Sequence, residues 1–255
     1  MGGRKAVQPY TWLAEHYYEL FDFRSPFVSA RQSILKPIMP SVESACDLAC
    51  GTGTTALELA GGGTRTFGVD ISPVMCRIAR SKAKAARLPI RIVRADMRSF
   101  RLPDRVDLIV CELDALNHVP RKSDLRRVAR AVARTLRPGG HFYFDVNNRL
   151  CFEKLWPLAN WIDKTNVVVF MHGGYDHRRG TAWSDVEGFV RDGNRWRRQH
   201  AHVEEVSWTA SEIRGVLNEA GFDKIRSWDA ATLMKDFPAF RRGYRTFYLA
   251  RKSLG

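Results

Sequence analysis

The stretch Asp47-Leu48-Ala49-Cys50-Gly51-Thr52-Gly53 places two glycines directly after a short apolar segment. Glycine lets the backbone turn tightly and come close to a ligand. A helix is predicted to begin near Thr54, so its free N–H groups and the positive end of its dipole face the same turn. The stretch therefore predicts a strand, a tight loop and a helix that together bind a nucleoside cofactor.

Outward from this loop, short apolar strands alternate with helical segments over residues 44–148. Such alternation is typical of βαβ units, which form parallel sheets with right-handed crossovers. Pro138 and Gly139 mark a helix end before the fifth strand, and two more strands follow Gly221. We therefore predict an α/β fold: a Rossmann-like sheet of seven mostly parallel strands, with helices on both faces and an antiparallel β insert before the last two strands.

Asp47 decides between two kinds of nucleoside cofactor. The pattern Gly51-x-Gly53-x-x-Ala56 also satisfies a dinucleotide fingerprint, and Asp70 lies near the ~20-residue spacing of a ribose-binding acid. A carboxylate at the mouth of the first strand would repel a pyrophosphate, whereas it suits a ligand that carries an ammonium and a sulfonium. The residues therefore predict a cationic cofactor, and S-adenosylmethionine is one.

Acidic residues also end the second and third predicted strands. Asp70 closes TFGVD, where one carboxylate can accept hydrogen bonds from both ribose hydroxyls. Asp96-Met97 closes IVRADM, where the carboxylate can accept from an adenine amino group and the thioether can pack on the ring. Strand-end aspartates often only cap a turn, but ligands of open α/β sheets bind at these strand ends.

The remaining segments divide by pattern. No internal repeat, low-complexity tract or Pro/Gly-rich linker interrupts the chain, so we predict a single domain over residues 1–255. Asp192-Gly193-Asn194 is a hairpin turn signal inside the insert. The predicted parts are a helical cap at 1–43, a cofactor-binding core at 44–148, the antiparallel insert at 149–208, and a closing helix and β-hairpin at 209–255. The cap is expected to hold helices at 12–23 and 26–39, and the insert a helical piece at 150–161 followed by strands near 166–171, 181–190 and 195–207.

The composition is that of a globular protein, with 45% hydrophobic and 27% charged residues among 255. No apolar run approaches the ~18–20 residues of a membrane span, and we expect no secretory signal and a cytoplasmic location. The five cysteines form no CxxC pair, which favours reduced, packed thiols. They are Cys46, Cys50, Cys76, Cys111 and Cys151.

The formal net charge of +14 raises the question of nucleic-acid binding, because clustered Lys and Arg release counterions from phosphates. The excess is spread along the chain, which favours solvated faces. Nucleic acid is therefore not expected as a partner, and neither is a membrane. The charge favours an acidic small molecule instead, and the oligomeric state stays open.

Five stretches resemble the successive motifs of class I S-adenosylmethionine-dependent methyltransferases, in that family's order. They are DLACGTG (47–53), GVDISPVM (68–75), RADM (94–97), DLIVCELDALNHV (107–119) and LRPGGHFYFDVNN (136–148). The chain is most similar to the group that acts on small molecules, including N-methyltransferases of amino acids and amino sugars. The resemblance implies methyl transfer from S-adenosylmethionine, with S-adenosylhomocysteine as product, to the N or O atom of a small, acidic or aromatic acceptor.

The resemblance also assigns cofactor contacts to residues of these motifs. LAEHYYELFD resembles the N-terminal helix whose tyrosine closes over the cofactor, which indicates Tyr17 or Tyr18. An arginine of the same cap often meets the cofactor carboxylate, and Arg24 and Arg31 are both candidates. The other contacts implied are Asp47, Ala49, Gly51, Gly53, Asp70, Ile71, Asp96, Met97, Cys111 and Glu112.

The segment after the fourth strand supplies the candidates for the acceptor side. His118 is the candidate general base, and Asn117 either hydrogen-bonds the acceptor or caps a turn. His200 and His202 share one face of a strand, but without a matching carboxylate or Cys we expect no metal site. The insert, which we expect to lie over the acceptor site, holds tryptophans that form either a small satellite core or the walls of an acceptor pocket. These are Trp156, Trp161, Trp183, Trp196 and Trp208.

Three other functions compete with small-molecule methylation. The net charge prompts a nucleic-acid methyltransferase, but CELDALNHV differs from the N/D-P-P-Y/F/W sequence of base-amino methyltransferases. A non-catalytic S-adenosylmethionine-binding regulator would bind the cofactor without methyl loss. A nicotinamide oxidoreductase would be stabilised by NAD instead.

Overall fold

The computed structural model describes residues 10–14, 16, 20, 24–234 and 242–254. Its helices are α1 (Tyr10–Leu13), α2 (Arg24–Leu35), α3 (Thr54–Gly61), α4 (Pro73–Ala85), α5 (Lys122–Thr135), α6 (Arg149–Lys154), α7 (Ala210–Glu219) and α8 (Ala230–Leu233). Its strands are β1 (Ser44–Leu48), β2 (Arg65–Asp70), β3 (Arg91–Arg94), β4 (Val106–Cys111), β5 (Leu136–Asn147), β6 (Asn160–Lys164), β7 (Val167–Asp176), β8 (Thr181–Asp192), β9 (Arg195–Val206), β10 (Phe222–Asp229) and β11 (Arg245–Lys252). Short 3₁₀ turns lie at Met39–Ser41 and Ala115–His118.

The main sheet has seven strands in the order β3-β2-β1-β4-β5-β11-β10. The first five run parallel, and β11 lies antiparallel to both β5 and β10. This confirms the predicted seven-stranded, mostly parallel sheet. The strand order reverses between β1 and β4, and ligands of such sheets bind at the carboxyl ends of the strands beside that reversal.

Local sequence explains how the core elements begin and pack. Pro73 opens α4, and the Ser72 side chain accepts a hydrogen bond from the Met75 N–H at 3.3 Å, as an N-cap should. All five residues of β1 are buried, as expected of a strand covered on both faces. The Phe144 ring stacks on Tyr248 at 4.9 Å between centroids, which joins the parallel strands to the closing hairpin.

The insert forms a second, antiparallel sheet of four strands in the order β6-β7-β8-β9. Asp192 pairs with Arg195, and Gly193 has a φ of +60°, so the predicted hairpin turn is confirmed. The predicted helical piece over 150–161 is wrong beyond Lys154, because Asn160–Lys164 is a strand that pairs with β7. Pro157 disfavours helix at the preceding residue, and the pairing then decides the conformation.

The inner face of the insert packs on the N-terminal segment. Val167, Val169 and Val186 form one buried cluster with Leu13 and Leu20. The described N-terminal segment and the insert therefore share one apolar cluster beside the main sheet.

None of the described helices is both long enough and apolar enough to cross a membrane.

Candidate cofactor and acceptor site

A cavity of about 330 Å³ lies at the carboxyl ends of β1, β2 and β3, beside the 3₁₀ turn Ala115–His118. This is the position at which open α/β sheets bind ligands. Six residues that the sequence singled out contribute to its lining. They are Ala49, Asp70, Ile71, Asp96, Met97 and His118.

The glycine loop turns as the sequence predicts. Gly51 and Gly53 have φ values of +52° and +82°, and a Cβ added at Gly53 would lie 2.9 Å from the Cβ of Ala79. Glycine at 53 is therefore required both by the backbone conformation and by the close approach of α4. Ala49 also has a positive φ, of 58°, and strain of this kind clusters at ligand sites.

Asp70 ends β2 with its carboxylate at the cavity wall. Its Oδ2 accepts a hydrogen bond from the Gly51 N–H, and its Oδ1 accepts one from the Ser72 N–H, both at 2.8 Å. Burial raises the pKa of Asp70, while these two backbone donors lower it. Each carboxylate oxygen keeps further acceptor capacity for a ribose hydroxyl.

Asp96 has a partner that sequence reasoning missed. The Arg98 Nε lies 3.0 Å from both carboxylate oxygens of Asp96, and this contact lowers the pKa of Asp96. Arg98 itself lines the cavity. An adenine amino group that hydrogen-bonds Asp96 would therefore share this carboxylate with the Arg98 guanidinium. Met97 lines the same cavity.

Asp47 does not line the cavity, contrary to its expected place at the mouth of the first strand. Its side chain is buried within β1, and Oδ2 accepts a hydrogen bond from the Ala56 N–H in the first turn of α3 at 2.9 Å. Burial and the nearby Glu112 raise the pKa of Asp47 well above its usual range. Asp47 thus fixes the first turn of α3 to the end of β1.

Arg31 and Glu112 form a buried ion pair beside the glycine loop. The Arg31 guanidinium also pairs with Glu58, and the Thr55 hydroxyl donates to the Glu112 Oε2 at 2.8 Å. The Glu112 Oε1 is buried without a hydrogen-bond partner among the described residues. A buried acceptor of this kind suits an ammonium donor, as the amino-acid end of S-adenosylmethionine would provide.

Three residues predicted to contact the cofactor, Tyr17, Tyr18 and Cys111, are not among the described residues that line the cavity. Tyr17 and Tyr18 lie outside the described residues. Cys111 ends β4 with its thiol in the main core, and burial raises its pKa well above the usual range. Its side chain therefore packs in the protein, as do the other four cysteines, which are all free and buried.

His118 ends the 3₁₀ turn with its side chain 26% exposed. Its Nε2 lies 3.6 Å from the Oε1 of Glu205, whose side chain is only 4% exposed. Burial lowers the pKa of His118, which favours the neutral imidazole that a general base requires. Ligand atoms of Asp114, His118 and Glu205 lie within 4.8 Å of one another.

The loop after β4 is held by charges that sequence reasoning also missed. Asp145, at the buried end of β5, accepts hydrogen bonds from the backbone N–H groups of Leu113 at 2.8 Å and Asp114 at 3.1 Å. Arg245 of β11 pairs with both Asp145 and Asp114. One signal pointed to Glu205: it follows Ala201 and Val203 on the inward side of β9, where an acid is unexpected.

The other acceptor-side candidates lie elsewhere. Asn117 is fully buried and its amide donates to the carbonyls of Asn147 and Val206, so it joins the two sheets and neither binds an acceptor nor caps a turn. His200 and His202 face solvent and pair with Glu187 and Asp185. The five tryptophans form neither one satellite core nor the walls of one pocket. Trp156 packs in the insert cluster, Trp208 in the main core, and Trp161, Trp183 and Trp196 are exposed.

Comparison with known proteins agrees with this geometry. Residues 45–140 match the family described as methyltransferase domain. The chain is 27% identical over 219 residues to the putative methyltransferase YqeM of Bacillus subtilis (strain 168), covering 84% of this chain and 86% of that protein. It is 30% identical over 156 residues to a ubiquinone biosynthesis O-methyltransferase of Serratia proteamaculans (strain 568), covering 60% and 62%. A solved S-adenosylmethionine-dependent methyltransferase from Clostridium acetobutylicum ATCC 824 superposes with a TM-score of 0.81 at 23% identity, covering 96% of this chain and 99% of that one.

Residues 45–140 thus form a methyltransferase domain, and the sheet order and the strand-end cavity agree with the fold of class I S-adenosylmethionine-dependent methyltransferases. Its cofactor is S-adenosylmethionine, as the family resemblance predicted. The charge argument named the same cofactor, but it placed Asp47 at the cavity, and the structure does not.

Proposed function

We propose that this methyltransferase acts on the N or O atom of a small molecule by direct displacement, with His118 as general base. The observation that carries the proposal is that His118 and Asp70 line the same cavity. A base and a ribose-binding acid in one space can align an acceptor with the cofactor. Such positioning supplies ~7–11 kcal/mol of the barrier in well-oriented reactions.

Different residues bind different parts of the cofactor. Asp70 holds the ribose hydroxyls, Met97 packs on the adenine, and the buried Oε1 of Glu112 receives the ammonium. Arg31 is engaged by Glu112 and Glu58, so we propose that it positions Glu112 rather than the cofactor carboxylate. S-adenosylmethionine, when bound, supplies a methyl group activated by its sulfonium.

His118 takes the acceptor proton when the acceptor attacks. A positioned base typically contributes ~10²–10⁴-fold, provided that it is neutral. The lowered pKa of His118 supports this role near neutral pH. A small acceptor also agrees with the name of the O-methyltransferase relative, which assigns that protein to ubiquinone biosynthesis.

The test is incubation with S-adenosylmethionine bearing a deuterated methyl group, in separate reactions with a metabolite extract, total RNA and a protein extract. We expect mass spectrometry to find the label in a small metabolite, and to find much less with the His118→Gln variant. Label that appears only in RNA or only in protein would refute small-molecule methylation. The absence of any labelled product, although the cofactor binds, would refute it as well.

A further inference from the structure

The insert sheet has one buried face and one exposed face. Its inner face packs on the N-terminal segment through the cluster that contains Val167, Val169 and Val186. Side chains alternate between the two faces of a sheet, so every second residue of these strands points the other way. We call this set of residues the outer face of the insert. It consists of Trp161 and Asp163 of β6, Val168, Phe170 and His172 of β7, Trp183, Asp185, Glu187, Phe189 and Arg191 of β8, and Trp196, Arg198, His200, His202 and Glu204 of β9.

Five rings form a continuous row across all four strands of the outer face. In order they are Trp161, Phe170, His172, Trp183 and His202, and consecutive ring centroids lie between 5.8 and 6.4 Å apart. Trp161 is 63% exposed and Trp183 is 36% exposed. A contiguous exposed patch of large rings on a globular protein marks a surface that contacts another molecule.

The angles between the rings indicate what kind of molecule fits. Consecutive ring planes in the row meet at 54°, 38°, 88° and 15°. Nucleic-acid bases stack on platforms that present flat ring faces, and the flat apolar face of a sugar has the same requirement. Rings that stand at such different angles suit the interdigitating side chains of a second protein surface.

Charged groups at the centre of the outer face are paired with one another. His202 Nδ1 lies 2.7 Å from Asp185 Oδ1, and the Arg198 Nε donates to Glu187 Oε2 at 2.8 Å. Covering a charged group is costly mainly when it is left without its partner. These pairs can therefore be covered by a partner surface that supplies no charge of its own.

The insert does not share the positive excess of the chain. Residues 149–208 contain nine Lys or Arg and eight Asp or Glu, whereas the whole chain has a net charge of +14. Two copies of so basic a chain repel each other, and the insert is where they approach with little repulsion. The same balance makes this face a poor site for the phosphates of a nucleic acid. Its exposed rim carries both signs, with Asp163 and Glu204 against Arg191, so it can pair with itself about a two-fold axis.

The exposed area is sufficient for a stable contact. The exposed fractions of Trp161, Trp183, Phe189 and Trp196 together correspond to roughly 300–450 Å² of aromatic surface. A standard interface buries ~800 Å² on each partner, with aromatic residues at its centre and polar residues at its rim. The charged and histidine side chains of the outer face supply the remaining area.

We propose that the outer face of the insert binds the outer face of a second copy of this chain, so that the protein is a symmetric dimer. The contact does not involve the cofactor cavity, and the proposal is independent of the methyl acceptor. It gives the exposed tryptophans and the histidine–carboxylate pairs of the insert a common role.

The test is the mass of the full-length protein in solution, measured by light scattering and sedimentation at micromolar concentrations. We expect twice the mass of one chain. Replacing Trp161 and Trp183 together by alanine should raise the dissociation constant of the dimer roughly 30-fold or more, because tryptophans at the centre of an interface typically dominate its stability. Leu254→Ala is the matched control, since it truncates a 69% exposed apolar side chain outside the insert and should leave the dissociation constant unchanged.

Salt separates an apolar contact from an ionic one. Added salt screens the repulsion between the two basic chains, so it should lower the dissociation constant of the dimer. A dimer that instead dissociates as salt is added would overturn the proposal, because ion pairs between the copies would then hold it together.

A protein that is monomeric at every concentration would also overturn the proposal. So would a dimer that the double substitution leaves unchanged; if that variant melts at a lower temperature than the wild type, Trp161→Ala alone provides the same comparison. A monomer whose tryptophan fluorescence changes with oligouridylate or with dextrin would assign the outer face to a nucleic acid or to a glycan instead.

Discussion

Replacing Asp70 by alanine should weaken binding of S-adenosylhomocysteine by roughly 10–100-fold. Each Asp70 oxygen already accepts one backbone N–H at 2.8 Å, so the remaining acceptor capacity is what the ribose hydroxyls use. Hydrogen bonds to a charged group contribute ~1.5–3 kcal/mol, and each ~1.4 kcal/mol is a tenfold change in affinity. The expected loss corresponds to that range.

The same substitution has a structural cost that the assay must separate from binding. Without the carboxylate, the Gly51 and Ser72 N–H groups lose their acceptor, which costs about 1–3 kcal/mol of the free energy of unfolding. Circular dichroism melting of the cofactor-free protein measures this cost, and calorimetric titration well below the melting temperature measures affinity. Asp104→Ala is the control, since Asp104 is an exposed acid paired with Arg65.

Unchanged affinity in a folded Asp70→Ala protein would refute the assignment. Asp70 would then only cap the turn between β2 and α4. An equal loss of affinity in Asp104→Ala would refute it as well, because the effect would not be specific to the cavity.

Three further substitutions test other parts of the site. His118→Gln should bind S-adenosylhomocysteine normally yet lose ~10²-fold or more in turnover. The wild-type rate should rise with pH through a pKa below the ordinary ~6.5 of histidine, because burial lowers the pKa of His118. Equal rates and equal pH profiles for the variant and the wild type would contradict this role. Gly53→Ala should lower the free energy of unfolding in urea by about 1–3 kcal/mol more than Gly63→Ala, because both positions have positive φ but only Gly53 lies against Ala79; equal losses would show that the contact with α4 is unimportant. Arg245→Met should cost about 3–5 kcal/mol in the same assay, since it leaves Asp145 buried without its cation; a loss below 1 kcal/mol would contradict the role of that pair.

The fold was predictable because its signals are local. Alternating apolar and helical segments specify βαβ units, and the glycine pair in the 47–53 loop specifies a turn that few other residues allow. The sequence also allowed Asp70, Met97 and His118 to be predicted as residues of the cavity, for a related reason. The carboxyl ends of parallel strands meet at one edge, so residues at those ends share a cavity without any knowledge of side-chain contacts.

The rest depends on partners distant in sequence. Arg98 is an exception, since it lies only two residues from Asp96 and sequence reasoning still missed the contact. The pairing of Arg31 with Glu112, in contrast, joins α2 to the residue that follows β4. The strand Asn160–Lys164 forms because β7 pairs with it, not because of its own propensity. Glu205 reaches His118 only because the second sheet folds against the first, which no motif records.

The central claim is that the cavity at the ends of β1, β2 and β3 binds S-adenosylmethionine, and thermal unfolding with added ligands tests it most directly. S-adenosylmethionine or S-adenosylhomocysteine should raise the melting temperature, with a gain of roughly 2.7 kcal/mol at a ligand concentration ~100 times the dissociation constant. NAD should produce no shift, because the unpartnered Oε1 of Glu112 beside the glycine loop suits an ammonium and offers a pyrophosphate no hydrogen-bond donor. A shift with NAD and none with either S-adenosyl compound would contradict the account.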